Sequence, residues 1–187
     1  MPTLDDRIDA IARALRGLDP GPLAELRRMA PGGPGTASFW RLAAEHELRQ
    51  DEIAAWQAIV RIMAILCPRG DPDARGYLHD RKRPLGAVLC DGGDPDWPGD
   101  APPRPLLSEA RLARFLALPH PARAEALERI ARMLARTRPE QAGIDCTGIA
   151  RLLLEPGNAD LPGRLARAYY DRLDRAERAH QKEGTAR

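Results

Sequence analysis

The sequence predicts an all-α protein, a two-lobed helical bundle of about eight to nine helices. Two observations on its 187 residues support this fold class. Ala (31) and Leu (24), both strong helix formers, dominate the apolar residues, whereas Val, Ile and Thr together number 16 and are too few to fill a substantial sheet. Apolar residues also recur at helical spacing between breaks that are rich in Gly and Pro.

The first half of the chain is expected to hold five helices. The strongest signal is 51–67, which is apolar almost all round after an acidic first turn and therefore indicates a central buried helix. Thr36 or Ser38 can cap the helix before it, because both follow a Gly/Pro loop and carry a side-chain oxygen. The expected helices span 4–18, about 22–30, a segment beginning after that cap, 51–67 and a short segment beginning near Leu85.

The segment 91–105, DGGDPDWPGDAPPRP, is too rich in Gly, Pro and Asp to be a regular element. Its acids miss the spacing of a calcium-binding loop, so a long solvated linker is expected. The predicted division of the chain is an N-terminal lobe over 1–90, a linker over 91–107 and a C-terminal lobe over 108–187. The helices expected in the second lobe are one capped by Ser108, one over 121–137, one over 146–155 capped by Asp145, and one from Asp160 to about 180, after which the tail should fray.

Composition and motifs exclude several classes of protein. The formal net charge is +2, from 29 basic and 27 acidic residues, and indicates no particular partner. The three cysteines are far apart and odd in number, which favours a reducing compartment over a disulfide framework. No apolar run reaches the ~18 residues needed to span a bilayer, and the polar start MPTLDDRIDA is unlike a signal peptide, so a cytoplasmic protein is expected. The four His lack metal-ligand spacing, and phosphate-loop, serine-hydrolase and dinucleotide motifs are missing, so we expect no metal, no cofactor and no enzymatic activity.

The basic residues are unusual in kind, because 27 are Arg and only 2 are Lys. A GC-rich coding sequence would explain this bias, and so would a need for bidentate phosphate contacts. An acid four residues before an Arg on a helix accounts for that Arg structurally, whereas an Arg without such a partner is free to meet phosphate. Among the arginines without such a partner, the candidates are Arg27, Arg61, Arg111, Arg114 and Arg136.

Two of these arginines carry the strongest local argument. Arg111 and Arg114 share one helix face, have no acid at helical spacing, and lie in the first half of their expected helix, where the dipole disfavours a cation. An anionic partner would explain that arrangement. The aromatic residues, by contrast, are expected to pack in the core and not to stack on bases: Phe39, Trp40, Trp56 and Phe115.

The order of segments over residues 20–178 resembles the CasB family, the small subunit of the type I-E CRISPR Cascade complex. The motifs that carry the resemblance are, in chain order, AELRRMA, a Gly/Pro loop, FWRL, WQAIVRIMAIL, PLG, SEARLARFLAL, LERIARMLART, IARLLL and a closing helix with YYD. The linker over 91–105 is longer and richer in Pro than expected for that family. The residues that follow LG are Ala87 and Val88, where members of that family often carry a basic residue.

The resemblance implies an all-helical, two-lobed, non-catalytic DNA-binding protein of antiviral defence. It implies two copies arranged head-to-tail beside the backbone and large subunits of Cascade. There they stabilise the R-loop through contacts with the guide RNA–target DNA hybrid and the displaced single-stranded DNA. The basic positions that it implies match Arg27 or Arg28, Arg61, Arg111, Arg132 and Arg151, of which Arg132 and Arg151 rest on the resemblance alone.

We therefore expect nucleic-acid binding that is independent of sequence and sensitive to salt. Two alternatives of other classes are a helical transcriptional regulator that reads duplex DNA and a protein–protein adaptor that binds no nucleic acid. The predicted nucleic-acid-binding set is Arg27, Arg28, Arg61, Arg111, Arg114, Arg132, Arg136 and Arg151.

Overall fold

The computed structural model describes residues 2–99 and 101–185, with side chains as far as 182, and over these ranges the chain is all-helical. The predicted fold class is thus confirmed. Within the described ranges there is no β-strand, only an isolated bridge between His79 and Ile144. Nine α-helices are present there: α1 Leu4–Gly17, α2 Pro20–Arg28, α3 Ala37–Glu45, α4 Ile53–Leu66, α5 Leu85–Asp91, α6 Glu109–Leu116, α7 His120–Thr137, α8 Cys146–Leu154 and α9 Asp160–Thr185.

Helix ends follow local side-chain chemistry in several places. The Thr36 side chain accepts from the amide of Phe39 at the start of α3, and Asp145 accepts from the amide of Thr147 at the start of α8, as predicted. Ser108 precedes α6 but makes no such bond. Helix α9 continues to Thr185, past the predicted end near 180, and the last two residues of the expected frayed tail lie outside the described residues.

Helix α4 is the centre of the core. It packs against α1, α2, α7 and α8, and its Trp56, Ile59 and Met63 are fully buried. Burying side chains of this size stabilises the fold by roughly 1.5–3 kcal/mol each. Helix α5 lies along α9, where a Cβ on Gly86 would come within 2.1 Å of the Leu165 carbonyl oxygen, so only glycine allows this close approach.

The segment that begins at Asp91 differs from the expected solvated linker. Asp91 ends α5, its side chain is fully buried, and it accepts hydrogen bonds from Arg83 at 3.0 Å and from Arg172 at 2.8 Å. Arg172 also donates to the carbonyl of Trp97 and lies 5.3 Å from the centre of its ring. The sequence did not reveal that Asp91 is buried, because one of its two arginine partners, Arg172, lies on α9, 81 residues away. Asp100, another acid of this segment, lies outside the described residues.

Helices from both sides of this segment pack together, as α4 does with α7 and α5 with α9. The division into lobes over 1–90 and 108–187 stays a prediction. No helix in the described ranges combines the length and the apolar character that crossing a membrane would require.

Three of the four aromatic residues expected in the core are buried there, namely Phe39, Trp56 and Phe115. Trp40 was wrongly assigned to packing, because 42% of it is exposed. Its indole N–H donates to the carbonyl of Pro34 at 2.9 Å, which holds the ring over the preceding loop.

Candidate nucleic-acid interface

A cleft of about 1100 Å³ opens between α2 and the C-terminal part of α7. The C-terminal half of α4, which packs against both helices, lies between them, and the loop that follows α4 completes the lining. Among the described residues that line the cleft, one carboxylate, Glu140, faces eight arginines. These arginines are Arg27, Arg28, Arg61, Arg69, Arg75, Arg132, Arg136 and Arg138.

Backbone carbonyl groups at the C-terminal end of α4 accept hydrogen bonds from two of these arginines. Its last turn carries no basic residue of its own, although the carbonyl groups at a helix C-terminus are unpaired and partly negative. Arg27 of α2 donates to the carbonyls of Ala64 and Cys67, each at 2.8 Å, and Arg138, just after α7, donates to that of Leu66 at 2.6 Å. The carbonyl groups accept hydrogen bonds from these guanidinium groups but carry no net negative charge. The positive charges of Arg27 and Arg138 therefore remain in the cleft.

Arg75 performs the same task for α1. Only 3% of the residue is exposed, and its guanidinium donates to the carbonyl of Arg16 at 2.8 Å and to that of Gly70 at 3.0 Å. A weaker bond of 3.4 Å reaches Leu15. Arg75 therefore fastens the loop after α4 to the C-terminal end of α1.

Glu128 of α7 joins two arginines of the cleft. Its Oε1 accepts from Arg61 of α4 at 2.9 Å and from Arg132, one turn further along α7, at 2.8 Å. Arg61 and Glu128 are mostly buried, with 13% and 18% of their side chains exposed. The Nε and Nη1 atoms of Arg61 are buried and have no hydrogen-bond partner among the described residues. One carboxylate thus balances two guanidinium groups incompletely.

Four arginines of the cleft are exposed and form its outer layer: Arg28, Arg69, Arg132 and Arg136. Arg28 donates through Nε to Ala24 of its own helix. Arg69 and Arg136 make no ion pair and no side-chain hydrogen bond with any described residue. The outer layer therefore presents guanidinium groups to solvent, and one of them, that of Arg132, also pairs with Glu128. The inner layer is buried or half-buried and is held by backbone carbonyls and Glu128.

Burial is the main influence on the pKa of two arginines of the inner layer. Burial lowers the pKa of the Arg27 guanidinium, and the charges of Arg69 and Arg75 lower it further. Burial likewise lowers the pKa of Arg138. Arginine stays protonated at neutral pH despite such shifts, so the cleft holds charges that an anion would stabilise.

The structure brings five of the eight predicted residues to this cleft: Arg27, Arg28, Arg61, Arg132 and Arg136. Arg151 lies elsewhere, beside a second cavity of about 320 Å³ bounded by α5, α8 and α9, and pairs with Asp5 at 3.6 Å and Glu155 at 3.9 Å. Arg111 and Arg114 are exposed on α6 and are not part of the cleft lining.

Three of the arginines predicted to be unpaired or disfavoured by the helix dipole have surroundings that differ from the prediction. Arg27 and Arg61 have partners, but these are tertiary ones on α4 and α7, which spacing along one helix does not reveal. Arg114 lies in the last turn of α6, because this helix ends at Leu116, and there the dipole favours a cation.

Sequence reasoning missed three arginines of the cleft, Arg69, Arg75 and Arg138. They lie in loops, whereas the pairing test considered helices. Arg138 directly follows the end of α7, and a search for arginines just beyond helix ends would have found it. Arg75 had no local signal, because its carbonyl partners on α1 are 57 to 60 residues away.

Comparison of the chain with protein-family models, with curated proteins and with solved structures gives no match. The described residues contain no group of three or more metal-ligating side chains that could hold an ion. The feature of the described residues that bears on function is the arginine cleft, with its eight arginines and one carboxylate.

Proposed function

We propose that the cleft binds the sugar-phosphate backbone of nucleic acid without reading its sequence. The observation that carries this proposal is the convergence of eight arginines on one cleft whose described lining contains a single carboxylate. Guanidinium groups bind phosphate oxygens in bidentate fashion and keep their charge at any physiological pH. Lining of this kind suits a polyanion far better than it suits a neutral or cationic ligand.

Apart from its arginines, the cleft offers few side chains for base readout. The other side chains that discriminate bases are chiefly Asn, Gln, Asp and Glu. Among the described residues that line the cleft, Glu140 is the single member of this group, and the remaining residues other than Arg are small or apolar. Backbone contacts of this type position a strand and carry no sequence information.

We further propose that the chain acts as the small subunit of a type I-E Cascade complex in the cytoplasm. The motif order supports this, and so does the presence on the cleft of Arg27 or Arg28, Arg61 and Arg132, which match basic positions that the resemblance implies. The partners in this proposal are the backbone and large subunits, a second copy of the chain, the guide RNA–target DNA hybrid and the displaced strand. Because R-loop formation is nearly balanced in base-pairing energy, added backbone contacts would tip it toward the open state.

Binding of a labelled oligothymidylate of about 15 nucleotides, measured between about 50 and 200 mM salt, tests the cleft. We expect the double variant Arg69→Ala/Arg136→Ala to bind more weakly and to lower the slope of log K against log salt by about 1.4, since each phosphate on a single strand contributes about 0.7. The matched control, Arg167→Ala/Arg175→Ala, removes the same charge from exposed sites on α9 that lie outside both the cleft lining and the predicted binding set, and should leave the slope unchanged.

Each other outcome favours a different function. An equal loss in both double variants would show that net charge and not the cleft governs binding. Sequence-specific binding to duplex DNA would favour a transcriptional regulator, and no binding at any salt would favour an adaptor. Co-expression with Cascade subunits tests the wider proposal, because a discrete guide RNA should then co-purify with the chain.

A further inference from the structure

Tyr77 is an exposed aromatic residue whose backbone carbonyl contacts an arginine of the cleft lining. Its exposed fraction is 60%, more than that of Trp40 or Tyr170, the other large apolar residues that are exposed in the described ranges. It follows Arg75 of the cleft lining by two residues, and its carbonyl accepts from Nη1 of Arg138, another lining residue, at 3.2 Å. The backbone of Tyr77 is thus hydrogen-bonded to one cleft arginine, Arg138, and lies two residues along the chain from another, Arg75.

The backbone on both sides of Tyr77 is held in place. A Cβ on Gly76 would lie 1.9 Å from the Glu140 carbonyl oxygen, so the chain passes directly against that loop. On the other side, Leu78 is fully buried. A ring on a fixed backbone loses little conformational freedom when it binds a partner, which makes it a favourable contact point.

The ring of Tyr77 is not part of the hydrophobic core. The guanidinium of Arg16 lies over the ring, 5.4 Å from its centroid. A guanidinium over an aromatic ring is an attractive arrangement, and nucleic-acid-binding grooves combine such cations with aromatic faces on which bases stack.

We propose that Tyr77 is a stacking platform for one unpaired base of a single-stranded nucleic acid whose phosphates lie in the arginine cleft. This inference rests on the proposed function and deepens it, because it selects single strands over duplexes. A base within a duplex is already stacked on both faces, whereas an unpaired base has a free face for the tyrosine. Stacking is tolerant of sequence, since every base has such a face.

The experiment compares two ligands of equal length, an oligothymidylate and an oligomer of abasic deoxyribose phosphate, so that the phosphates are the same and only the bases differ. We expect Tyr77→Ala to weaken binding of the oligothymidylate roughly tenfold or more and to leave binding of the abasic oligomer unchanged. Tyr77→Phe keeps the ring and should bind like the unmodified chain. Tyr170→Ala removes an exposed tyrosine on α9, a helix that supplies no residue to the cleft lining, and serves as the control.

The outcomes separate the two proposals. If the unmodified chain binds both ligands with the expected salt slope but Tyr77→Ala affects neither or both equally, the stacking role is wrong and the cleft proposal stands. If the unmodified chain binds neither ligand, the cleft proposal fails and the stacking role with it. Preferential binding of an acidic peptide such as polyglutamate would assign the surface to a protein partner and overturn the inference.

Discussion

Arg61 in α4 donates to Oε1 of Glu128 in α7 across 2.9 Å, although 67 residues separate the two in the chain. This pair fastens the central helix to the helix that carries Arg132 and Arg136. It also places a carboxylate among the guanidinium groups that we propose to bind phosphate. In the proposed function, Glu128 would therefore compete with phosphate for Arg61 and Arg132.

Replacing Glu128 by Gln tests this competition. We expect Glu128→Gln to bind single-stranded DNA about threefold or more tightly, because it removes a negative charge that repels the strand and releases Arg132. Fluorescence anisotropy at low salt measures the change. Glu125→Gln is the matched control: it removes the same charge one turn earlier on α7, from an exposed pair with Arg129, and should have a smaller effect.

Two results would contradict the competition. An equal gain in Glu128→Gln and Glu125→Gln would point to net charge. A loss of affinity in Glu128→Gln, with circular dichroism showing an intact fold, would mean that the carboxylate positions Arg61 and Arg132 for the ligand.

Inner and outer arginines of the cleft should differ in their effect on stability. Arg75→Ala leaves carbonyls at the end of α1 without a buried donor, so we expect the free energy of unfolding to fall by roughly 3 kcal/mol or more. Arg69→Ala removes the same charge from an exposed side chain and should change it by no more than about 0.5 kcal/mol. Urea denaturation followed by circular dichroism measures both. Equal effects of the two variants would contradict the division of the cleft into layers.

The cysteines should be unreactive in the folded chain. Cys67, Cys90 and Cys146 are all buried, and burial raises the pKa of each thiol, that of Cys90 to about 12. We expect almost no labelling by a thiol-specific disulfide reagent near pH 8, and three labelled thiols per chain once guanidinium chloride has unfolded it. Rapid labelling of the folded chain would show that the core opens readily.

The same shift predicts how stability depends on pH. A thiol whose folded pKa is raised favours the folded state fully below its unfolded value of about 9, and this contribution is lost as the pH rises toward 12. The free energy of unfolding should therefore decrease as the pH rises from about 9 to about 12. Cys90→Ala should show a smaller decrease, and an identical decrease in both proteins would exclude the thiol as the cause.

Helices were the part of the structure most accessible from sequence. The apolar spacing of α4, the side-chain caps Thr36 and Asp145, and the ion pairs of Glu128 with Arg132 and of Glu125 with Arg129 all involve residues within four positions of one another. Such features depend on the 3.6-residue repeat and on few other parts of the chain.

The cleft itself could be predicted only in part. The pairing test selected Arg27, Arg61 and Arg136, and the family resemblance added Arg28 and Arg132, but Arg111 and Arg114 satisfied the same test and lie on α6, outside the cleft. Spacing along one helix says whether an arginine has a local partner. It does not say which direction the helix faces after packing.

By itself, the sequence determined that this protein is all-helical, where most helices begin and end, and that its arginines outnumber the acids able to pair with them locally. Only the tertiary structure decided which arginines share a surface and which acid is buried. Arg27 meets the end of α4, and Asp91 meets Arg172 on α9, across 37 and 81 residues. The physical reason is that helix formation depends on neighbouring residues, whereas the convergence of charges depends on how distant helices pack.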